Sequence, residues 1–231
     1  MAAQRLPGKP LAAIGGLPMI VRVLRQAEAA KAGPVAVAAG DAEIVDAVER
    51  AGGRAVLTDP ALPSGTDRVK AAADRLDPER RHATVINLQG DMPFVAPALV
   101  ALCAGVLQAP DCDIATVVTP ESSPEERADP AVVKAVLAAE EDGSRRALYF
   151  TRSTLYGEGP VWRHLGIYGY RREALDRFVA APPSPLEIRE RLEQLRALEL
   201  GMVIRAAVTD QAPVSVDTPA DLERARAQAL G

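Results

Sequence analysis

Cysteine, histidine and aromatic residues are scarce in this chain, and each shortage excludes a kind of site or fold. The two cysteines, Cys103 and Cys112, and the two histidines, His82 and His164, are too few and too scattered for a zinc site. We expect both cysteines to be reduced and to lie in the core or at a helix end. Aromatic residues make up only 3% of the chain and hydrophobic residues 48%, so Ala, Val and Leu carry the apolar content. That composition favours helices packed on a sheet over a β-sandwich.

The sequence also lacks the features that mark membrane and nucleic-acid-binding proteins. It contains no apolar run long enough to span a bilayer, and we expect no signal peptide at its start. Acidic and basic residues are interspersed, with a formal net charge of −4 and neither a basic stripe nor a tail of like charge. We therefore expect neither a membrane nor a nucleic acid as a partner. The chain is expected to be a cytoplasmic enzyme or binding protein.

Strand and helix signals alternate over the first 119 residues, after a predicted loop at residues 1–16. Short apolar runs predict buried strands at residues 35–38, 55–57, 83–88 and 114–118. Apolar residues at helical spacing and capping residues predict helices at residues 18–32, 41–51, from about 66, and 97–107. Such alternation is typical of βαβ units, so the sequence predicts an α/β fold with a doubly wound, mostly parallel sheet.

The pattern changes after residue 119. A polar segment bounded by prolines leads to a region whose predicted strands cover residues 132–138, 147–151 and 163–171. Residues 184–200 are predicted to form one strongly charged helix, and Ser184 and Glu187 have the spacing of a capping box at its start. A strand at residues 202–208 and a helix that begins near Pro219 complete the chain.

The stretch that organises these predictions is the strand at residues 83–88 with the Gly90-Asp91 pair that follows it. Pro93 prevents the strand from continuing. In an open α/β sheet, ligands bind outside the carboxyl ends of the strands, so Asp91 lies where a metal ion or a phosphate-bearing substrate would bind. Asp91 could equally serve only to turn the chain or to cap the next helix.

Asp217 stands directly before Thr218-Pro219, at the start of the last predicted helix. It either caps that helix or joins Asp91 on one divalent cation. Two carboxylates about 4 Å apart repel each other by about 4 kcal/mol at an effective dielectric constant of about 20, so a shared site needs a cation or a shared proton. Mg²⁺ would suit such a site, because it prefers oxygen ligands and completes its shell with waters and phosphate oxygens.

Two other places carry candidate functional groups. Arg5 and Lys9 flank a Pro-Gly turn, where two cations and backbone N–H groups can bind a phosphate chain; an ordinary turn is the alternative. His164 lies between Arg163 and an apolar segment, which places an imidazole at a strand edge or a cleft. From these residues alone, a structural role for His164 stays open beside a functional one.

Six segments occur in the order found in one enzyme family, and together they span nearly the whole chain. They are RLPGKP (5–10), LQGDMP (88–93), YFTR (149–152), RHLGIYGYR (163–171), PSPLEIRERLEQLR (183–196) and VDTPADL (216–222). In this order they resemble the 3-deoxy-manno-octulosonate cytidylyltransferases, or CMP-Kdo synthetases. The segments at 163–171 and 183–196 are the most specific, because related sugar-nucleotide transferases share only the Lys-Pro loop and the strand-end Asp.

The resemblance implies a nucleotide-diphosphosugar-transferase-like (Rossmann-like) α/β fold with a small α+β dimerisation part, and a homodimer. It implies the reaction of CTP with 3-deoxy-manno-octulosonate (Kdo) to give CMP-Kdo and diphosphate, with Mg²⁺, for lipopolysaccharide synthesis. Residues 1–231 would form one domain, in which residues 1–119 bind the nucleotide and residues 120–200 bind the sugar acid and dimerise. Residues 201–231 would return to the main sheet.

The family pattern also assigns roles to individual residues. The catalytic group would be Lys9, Asp91 and Asp217, with both aspartates as ligands of the metal. The nucleotide would be bound by Arg5, Lys9, Ser64 and Gln89, and the sugar acid would be faced by Arg152, His164, Tyr168, Glu193 and Gln194. An Arg in the sugar pocket agrees with the carboxylate of Kdo, which a guanidinium binds in a fork geometry.

The chain departs from the family pattern at three places. Met92 replaces the Glu that follows the strand-end Asp, and Ser-Thr-Leu-Tyr stands after Arg152 where the family usually has an Ile-Pro pair. The family's first apolar strand precedes the Lys-Pro loop, whereas Met1 lies inside that loop, so this strand is absent from the chain and we expect an upstream start that encodes it. Two alternatives to Kdo activation follow. One is a cytidylyltransferase for another acidic sugar, such as a sialic-acid-like or 8-amino analogue, and the other is a truncated, non-catalytic dimerising homologue.

Overall fold

The computed structural model describes residues 6–120, 123–141, 143–155 and 160–230. A 3₁₀ helix at Lys9–Leu11 comes first. It is followed in chain order by β1 (Ala13–Ile14), β2 (Leu17–Pro18), α1 (Met19–Ala29), β3 (Val37–Ala39), α2 (Ala42–Arg50), β4 (Ala55–Leu57), α3 (Gly65–Leu76), β5 (Thr84–Leu88), α4 (Pro97–Val106), β6 (Ile114–Pro120), α5 (Pro124–Ala128), β7 (Lys134–Glu141), β8 (Ser144–Thr151), β9 (Trp162–Arg171), α6 (Arg172–Ala180), α7 (Pro185–Glu190), α8 (Gln194–Glu199), β10 (Ile204–Val208) and α9 (Pro219–Gln228).

The chain divides into two compact units. Unit 1 comprises Met1–Glu79, Leu88–Ala101 and Pro213–Gly231, and unit 2 comprises Arg80–Asn87 and Leu102–Ala212. Unit 1 therefore contains β1 to β4, α1 to α3 and α9. Unit 2 contains most of β5, all of β6 to β10, and α5 to α8.

Unit 1 contains two small sheets. β3 and β4 pair in parallel, and helix α2 connects them, as the alternating pattern predicts. β1 and β2 form a hairpin that begins in the predicted loop at residues 1–16 and ends at Pro18, where a helix was predicted to begin. Gly15 and Gly16 form its two-residue turn at φ values of 53° and 79°, which glycine adopts without steric cost. The loop prediction was wrong because two-residue strands show no periodicity in a sequence.

Buried apolar side chains hold unit 1 together around α1 and α9. One cluster joins Ile14, Met19, Val216, Leu222 and Ala225. A second cluster joins Ile20, Val21, Leu24 and Val48. Each large apolar side chain contributes about 1.5–3 kcal/mol to the stability of the fold when it is fully buried. The first cluster therefore holds the β1–α1 segment against the segment that contains α9.

Unit 2 is built on a six-stranded mixed sheet in the order β5-β9-β6-β10-β8-β7. β10 runs parallel to β6, whereas the pairs β6–β9, β8–β10, β7–β8 and β7–β9 are antiparallel. The α/β class is confirmed, but the prediction of a mostly parallel sheet is wrong. A run such as residues 114–118, all of them buried and apolar except Thr116, indicates cover on both faces and carries no information on strand direction.

Strand β9 contains a bulge beside β6. Thr116 lies opposite Tyr168 and Val118 lies opposite His164, so the four-residue step from 164 to 168 on β9 faces a two-residue step on β6. Gly166 lies inside this bulge at φ 68°, where a residue with a side chain would be strained. At this bulge the ring of His164 comes within hydrogen-bond distance of the Thr116 hydroxyl.

The charged segment at residues 184–200 forms two helices, α7 and α8, so the prediction of a single helix is wrong. The capping box of Ser184 and Glu187 is present as predicted. Helix α7 ends because Arg191 adopts a left-handed conformation at φ 57°. The guanidinium of Arg196 on α8 pairs with Glu187 at 2.6 Å and so ties the two short helices together. No Gly or Pro marks the break, which is why the sequence does not reveal it.

Both cysteines are buried and free, as predicted. Burial raises the pKa of the Cys112 thiol to about 11, so this thiol stays protonated at neutral pH. Among the helices of the described residues, none is both long and apolar enough to cross a membrane.

Candidate active site

Asp91 lies in the loop that follows β5, and the backbone of this loop is joined to the segment before α9. The Asp91 carbonyl accepts a hydrogen bond from the N–H of Val216 at 2.9 Å. Val216 is fully buried, so this bond has a fixed anchor. Gly90 permits a close approach, because a Cβ there would lie 3.0 Å from the side chain of Ile20 on α1. These contacts place Asp217 beside Asp91.

Lys9 bridges the two aspartates. Its Nζ donates to Asp91 Oδ2 at 3.1 Å and to Asp217 Oδ1 at 3.0 Å. The side chains of Lys9 and Asp91 are only 14% and 18% exposed, whereas that of Asp217 is 57% exposed. The three residues predicted to be catalytic are therefore brought together in one cluster, with a buried end at Asp91 and a solvent-facing end at Asp217.

Burial and charge act in opposite directions on this cluster. Burial disfavours the ammonium form of Lys9, but the carboxylates of Asp91 and Asp217 outweigh that effect and raise its pKa above 10.5. Burial also raises the pKa of Asp91 above 3.8, because the attraction of Lys9 offsets only part of the desolvation. The charged carboxylate of Asp91 is thus poorly solvated, and a cation beside it is stabilising.

Asp217 does not cap α9. Thr218 is the N-cap, and its hydroxyl and the carboxylate of Asp221 form a capping box. The backbone N–H of Asp217 donates to the same Asp221 carboxylate at 3.0 Å. The carboxylate of Asp217 instead accepts hydrogen bonds from Lys9 and, at 3.0 Å, from Ser215. Asp217 was predicted either to cap the last helix or to share a cation with Asp91. The geometry favours the second alternative, because the carboxylate faces the ammonium of Lys9.

Ser64 and Gln89, which are also predicted to bind the nucleotide, are not part of this hydrogen-bonded cluster. Ser64 is the N-cap of α3, where its Oγ accepts from the N–H groups of Thr66 and Asp67 at 3.1 and 3.2 Å. Gln89 is exposed in the loop after β5. Arg5 lies outside the described residues. Within the part of the chain that the structure describes, no hydrogen bond joins Ser64 or Gln89 to Lys9, so their role stays a prediction.

The donor set of the cluster fits a hard divalent cation. The ammonium of Lys9 already lies within 3.1 Å of both carboxylates, so one cationic centre can contact Asp91 and Asp217 together. Across the described ranges, no group of three or more His, Cys, Asp or Glu side chains could hold a metal ion. Two carboxylates are what Mg²⁺ commonly takes from a protein, because waters and substrate phosphates fill the rest of its shell.

In unit 2, His164 lies on β9 among aromatic side chains. Its Nε2 is 2.8 Å from Thr116 Oγ1, and its ring centroid lies 5.2 Å from that of Phe150 and 5.1 Å from that of Tyr168. Burial lowers the pKa of His164 to about 4, so its imidazole is neutral at physiological pH. A neutral imidazole can form hydrogen bonds with a sugar but offers no ion pair to a carboxylate.

Tyr168 lies beside His164, and Glu193 lies near Tyr168. Burial, with smaller effects from Tyr170 and Glu193, raises the pKa of Tyr168 well above 10, so its phenol stays protonated. Glu193 therefore lies near enough to act on Tyr168 electrostatically. Gln194 is the first residue of α8 and is only 6% exposed. Of the five residues predicted to face the sugar acid, the structure thus links His164 to Tyr168 and Tyr168 to Glu193. Gln194 directly follows Glu193 in the sequence.

Arg152 follows β8 at a surface cavity of about 390 Å³. Its Nη1 donates to the Pro130 carbonyl at 3.1 Å. Beneath it, the fully buried Lys134 donates to the carbonyls of Arg152 and Asp129 at 3.2 and 2.6 Å. In the described ranges no hydrogen bond or ring contact joins Arg152 to His164. The rest of the cavity is lined by Ala128, Pro130, Ser153 and Thr154.

Three residues in these clusters were not predicted from the sequence: Thr116, Lys134 and Ser215. Lys134 could have been noticed as the lone charge in the apolar run at residues 132–138. The sequence points to Thr116 only indirectly. Gly166 inside an apolar strand indicates a bulge, but it does not identify which residue of the neighbouring strand lies opposite that bulge. Nothing in the sequence marks Ser215.

The low pKa of His164 predicts that acid destabilises the folded protein through this residue. The unfolded imidazole takes up a proton as the pH falls through 6.5, whereas the folded one does so only near pH 4, so the free energy of unfolding falls between these values. The shift corresponds to about 3 kcal/mol. We expect His164→Gln to lack this loss when denaturant unfolding is measured at about pH 7 and about pH 4.

His82→Gln, in the exposed loop before β5, is the matched histidine control and should retain the acid sensitivity of the wild type. If the unfolding free energies of wild type and His164→Gln change in parallel between the two pH values, the imidazole is not held neutral by burial.

Comparison with known proteins supports the resemblance of the six segments. The cytidylyltransferase family profile matches residues 1–204. The chain is 58% identical over 228 residues to the 3-deoxy-manno-octulosonate cytidylyltransferase of Parvibaculum lavamentivorans, which covers 98% of this chain and 88% of that protein. It is 59% identical over 230 residues to the enzyme of the same name from Rhodospirillum centenum, with 98% and 89% covered.

Solved structures give the same result. A CMP:2-keto-3-deoxy-manno-octonic acid synthetase complexed with CTP matches with a TM-score of 0.89 at 37% identity, covering 98% of this chain and 93% of that one. A 4-diphosphocytidyl-2C-methyl-D-erythritol synthase from Anaerococcus prevotii matches with a TM-score of 0.66 over 96% and 93% of the two chains, and at 12% identity it shares the fold alone. The predicted resemblance is confirmed. This chain belongs to the cytidylyltransferase family and, within it, to the 3-deoxy-manno-octulosonate cytidylyltransferases.

Proposed function

We propose that this protein joins CTP to Kdo, giving CMP-Kdo and diphosphate. The observation that carries the proposal is the identity of 58–59% over 98% of the chain to proteins named for this transfer. The cluster of Lys9, Asp91 and Asp217 supports it chemically. Nucleotidyl transfer requires neutralisation of the triphosphate and in-line placement of a hydroxyl more than it requires a covalent catalyst.

In this proposal, unit 1 binds the nucleotide. Lys9, together with Arg5, neutralises the triphosphate, and its ammonium exchanges carboxylate partners for phosphate oxygens. Its position supports this role, because a single ammonium already lies between two carboxylates that need a cation. Gln89, exposed beside the Asp91 loop, and Ser64, at the N-terminus of α3, supply hydrogen-bonding groups to the nucleotide.

Asp91 and Asp217 hold Mg²⁺ in this proposal. When bound, Mg²⁺ supplies positive charge that stabilises the charge developing on the phosphate oxygens. Asp91 contributes a carboxylate that is poorly solvated and therefore gains from a cation. Asp217 contributes a solvent-facing carboxylate, and Ser215 orients it by donating to its Oδ2.

Unit 2 binds the sugar acid. Arg152 forms an ion pair with the carboxylate of Kdo in the fork geometry of its guanidinium. The neutral imidazole of His164 and the protonated phenol of Tyr168 form hydrogen bonds with sugar hydroxyls, as do Glu193 and Gln194. A hydroxyl oxygen of the sugar acid attacks the α-phosphorus of CTP. The new P–O bond forms as the bond to the β-phosphate oxygen breaks, the hydroxyl proton is released to solvent, and diphosphate leaves.

We also propose a function for each of three parts of the chain. Residues 1–119 bind the nucleotide, residues 120–200 bind the sugar acid and form the α+β dimerisation part of a homodimer, and residues 201–231 return to the main sheet. Leu148 on β8 and Ile188 on α7, 55% and 66% exposed, support a partner surface in the second part. The product serves lipopolysaccharide synthesis in the cytoplasm.

The rate of diphosphate release from CTP with a panel of acidic sugars tests the proposed substrate. We expect Kdo to give the highest kcat/KM, and a sialic acid and the 8-amino analogue to be slower by about tenfold or more, because buried polar groups of the site would be left unpaired. Faster release with either analogue would contradict Kdo as the substrate. A protein that releases no diphosphate with any sugar acid, with or without Mg²⁺, would be the non-catalytic homologue.

A further inference from the structure

The Thr116 hydroxyl makes two hydrogen bonds in the interior of unit 2. Thr116 is fully buried on β6, and its Oγ1 lies 2.8 Å from Nε2 of His164 and 2.8 Å from the carbonyl oxygen of Ile167. Both partners lie on β9, at the two sides of Gly166 in the bulge. The bulge therefore directs a side chain and a backbone carbonyl of the same strand to one hydroxyl group.

The proton of this hydroxyl can go to only one partner. The carbonyl of Ile167 has no proton of its own and can only accept, so it takes the single hydroxyl proton of Thr116. Towards His164 the Thr116 oxygen can then act only as an acceptor, which requires a proton on Nε2. Because burial holds the pKa of His164 near 4, the ring carries one proton, and Nδ1 keeps its lone pair.

We propose that Thr116 is a positioning residue that holds His164 in the Nε2–H tautomer and so presents Nδ1 as a hydrogen-bond acceptor to a hydroxyl group of the sugar acid. The identity of this ligand rests on the proposed function. Nδ1 has no hydrogen-bond partner among the residues that the structure describes, whereas Nε2 is occupied. A lone pair attracts a hydroxyl donor and repels a carboxylate.

This arrangement divides recognition of the sugar acid between two places. The carboxylate of the sugar acid is repelled by the lone pair on Nδ1 of His164. It binds instead to the guanidinium of Arg152, whose fork geometry suits a carboxylate. The hydroxyl that donates to Nδ1 therefore selects the orientation of the sugar. Thr116 contributes to this selection without touching the substrate.

The tautomer is tested directly by nitrogen NMR of the histidine rings. Because the chain has only two histidines, the His82→Gln protein labelled with ¹⁵N-histidine reports on His164 alone. At neutral pH we expect a protonated Nε2 and an unprotonated Nδ1, and a shift of the population towards Nδ1–H in the Thr116→Val variant. A protonated Nδ1 in the protein with Thr116 intact would overturn the inference, whether or not the protein uses Kdo.

The effect on recognition is tested by two-substrate kinetics. Thr116→Val keeps the shape of the side chain, and we expect it to raise KM for Kdo about tenfold, the value of one hydrogen bond, while KM for CTP changes less than about twofold. Thr116→Ser keeps the hydroxyl and should restore KM for Kdo. An unchanged KM for Kdo in a folded Thr116→Val protein, or an equal rise for both substrates, would overturn the inference. Failure to use any sugar acid, with the Nε2–H tautomer present, would instead refute the proposed function.

Discussion

Asp91→Asn is expected to lower kcat/KM for CMP-Kdo formation by about 100- to 1000-fold while the protein remains folded. The amide has nearly the size of the carboxylate but lacks the charge that a divalent cation requires. The backbone carbonyl of residue 91 still accepts the hydrogen bond from Val216, so the loop keeps its place beside Asp217. Initial rates of diphosphate release at saturating Mg²⁺ give the activity, and thermal unfolding gives the folded state.

The free energy of unfolding of Asp91→Asn shows whether Asp91 has a functional or a structural role. Burial raises the pKa of Asp91, which means that the folded protein holds this charge unfavourably. A neutral amide should therefore leave the free energy of unfolding within about 1 kcal/mol of the wild type, even as activity is lost. Asp41→Asn, an exposed aspartate at the N-cap of α2, is the matched control and should keep full activity. An active Asp91→Asn protein would refute Asp91 as a metal ligand.

Lys9→Met is expected to lower kcat/KM by about 100-fold or more, with a larger rise in KM for CTP than for Kdo. The thioether preserves much of the apolar stem of Lys9 but removes the charge proposed to neutralise the triphosphate. It also leaves the carboxylates of Asp91 and Asp217 without the ammonium that contacts both of them. The measurement is a two-substrate kinetic analysis in the presence of Mg²⁺.

A second readout of Lys9→Met does not depend on activity. If one cation can serve both aspartates, Mg²⁺ alone should raise the melting temperature of Lys9→Met more than that of the wild type, because no ammonium competes for the carboxylates. Lys70→Met, which removes a partly exposed lysine paired with Asp74 on α3, is the matched control and should respond to Mg²⁺ like the wild type. Equal responses of all three proteins would contradict a shared cation site at Asp91 and Asp217.

The half of the candidate site that contains Asp91 and Asp217 was the part most open to prediction from the sequence. Asp91 stands after a buried strand and Asp217 before a Pro-initiated helix, and both boundaries are marked by residues with strong local preferences. The position of Lys9 between them depends on contacts distant in sequence, such as the bond from Val216 to the Asp91 carbonyl. Local patterns carry no record of such contacts, so only the resemblance of the segments linked Lys9 to the aspartates.

The half of the candidate site that is proposed to bind the sugar acid was less open to prediction from residues alone. The role proposed for Thr116 depends on a bulge in a neighbouring strand, and the sequence of β6 is the same whether or not its partner bulges. The direction of the strands was mispredicted because burial, which the apolar runs report, is independent of direction. The break between α7 and α8 was missed because Arg191 adopts a left-handed conformation that its side chain does not favour.

Product formation by the purified protein is the most direct test of its assignment as a Kdo cytidylyltransferase. CTP and Kdo are incubated with the protein, with Mg²⁺ or with excess chelator, and the products are identified by phosphorus NMR and mass spectrometry. We expect equal amounts of CMP-Kdo and diphosphate with Mg²⁺, and loss of both products with the chelator. CTP that remains intact in the presence of Mg²⁺ and Kdo, or that is hydrolysed to CMP without formation of CMP-Kdo, would contradict the assignment.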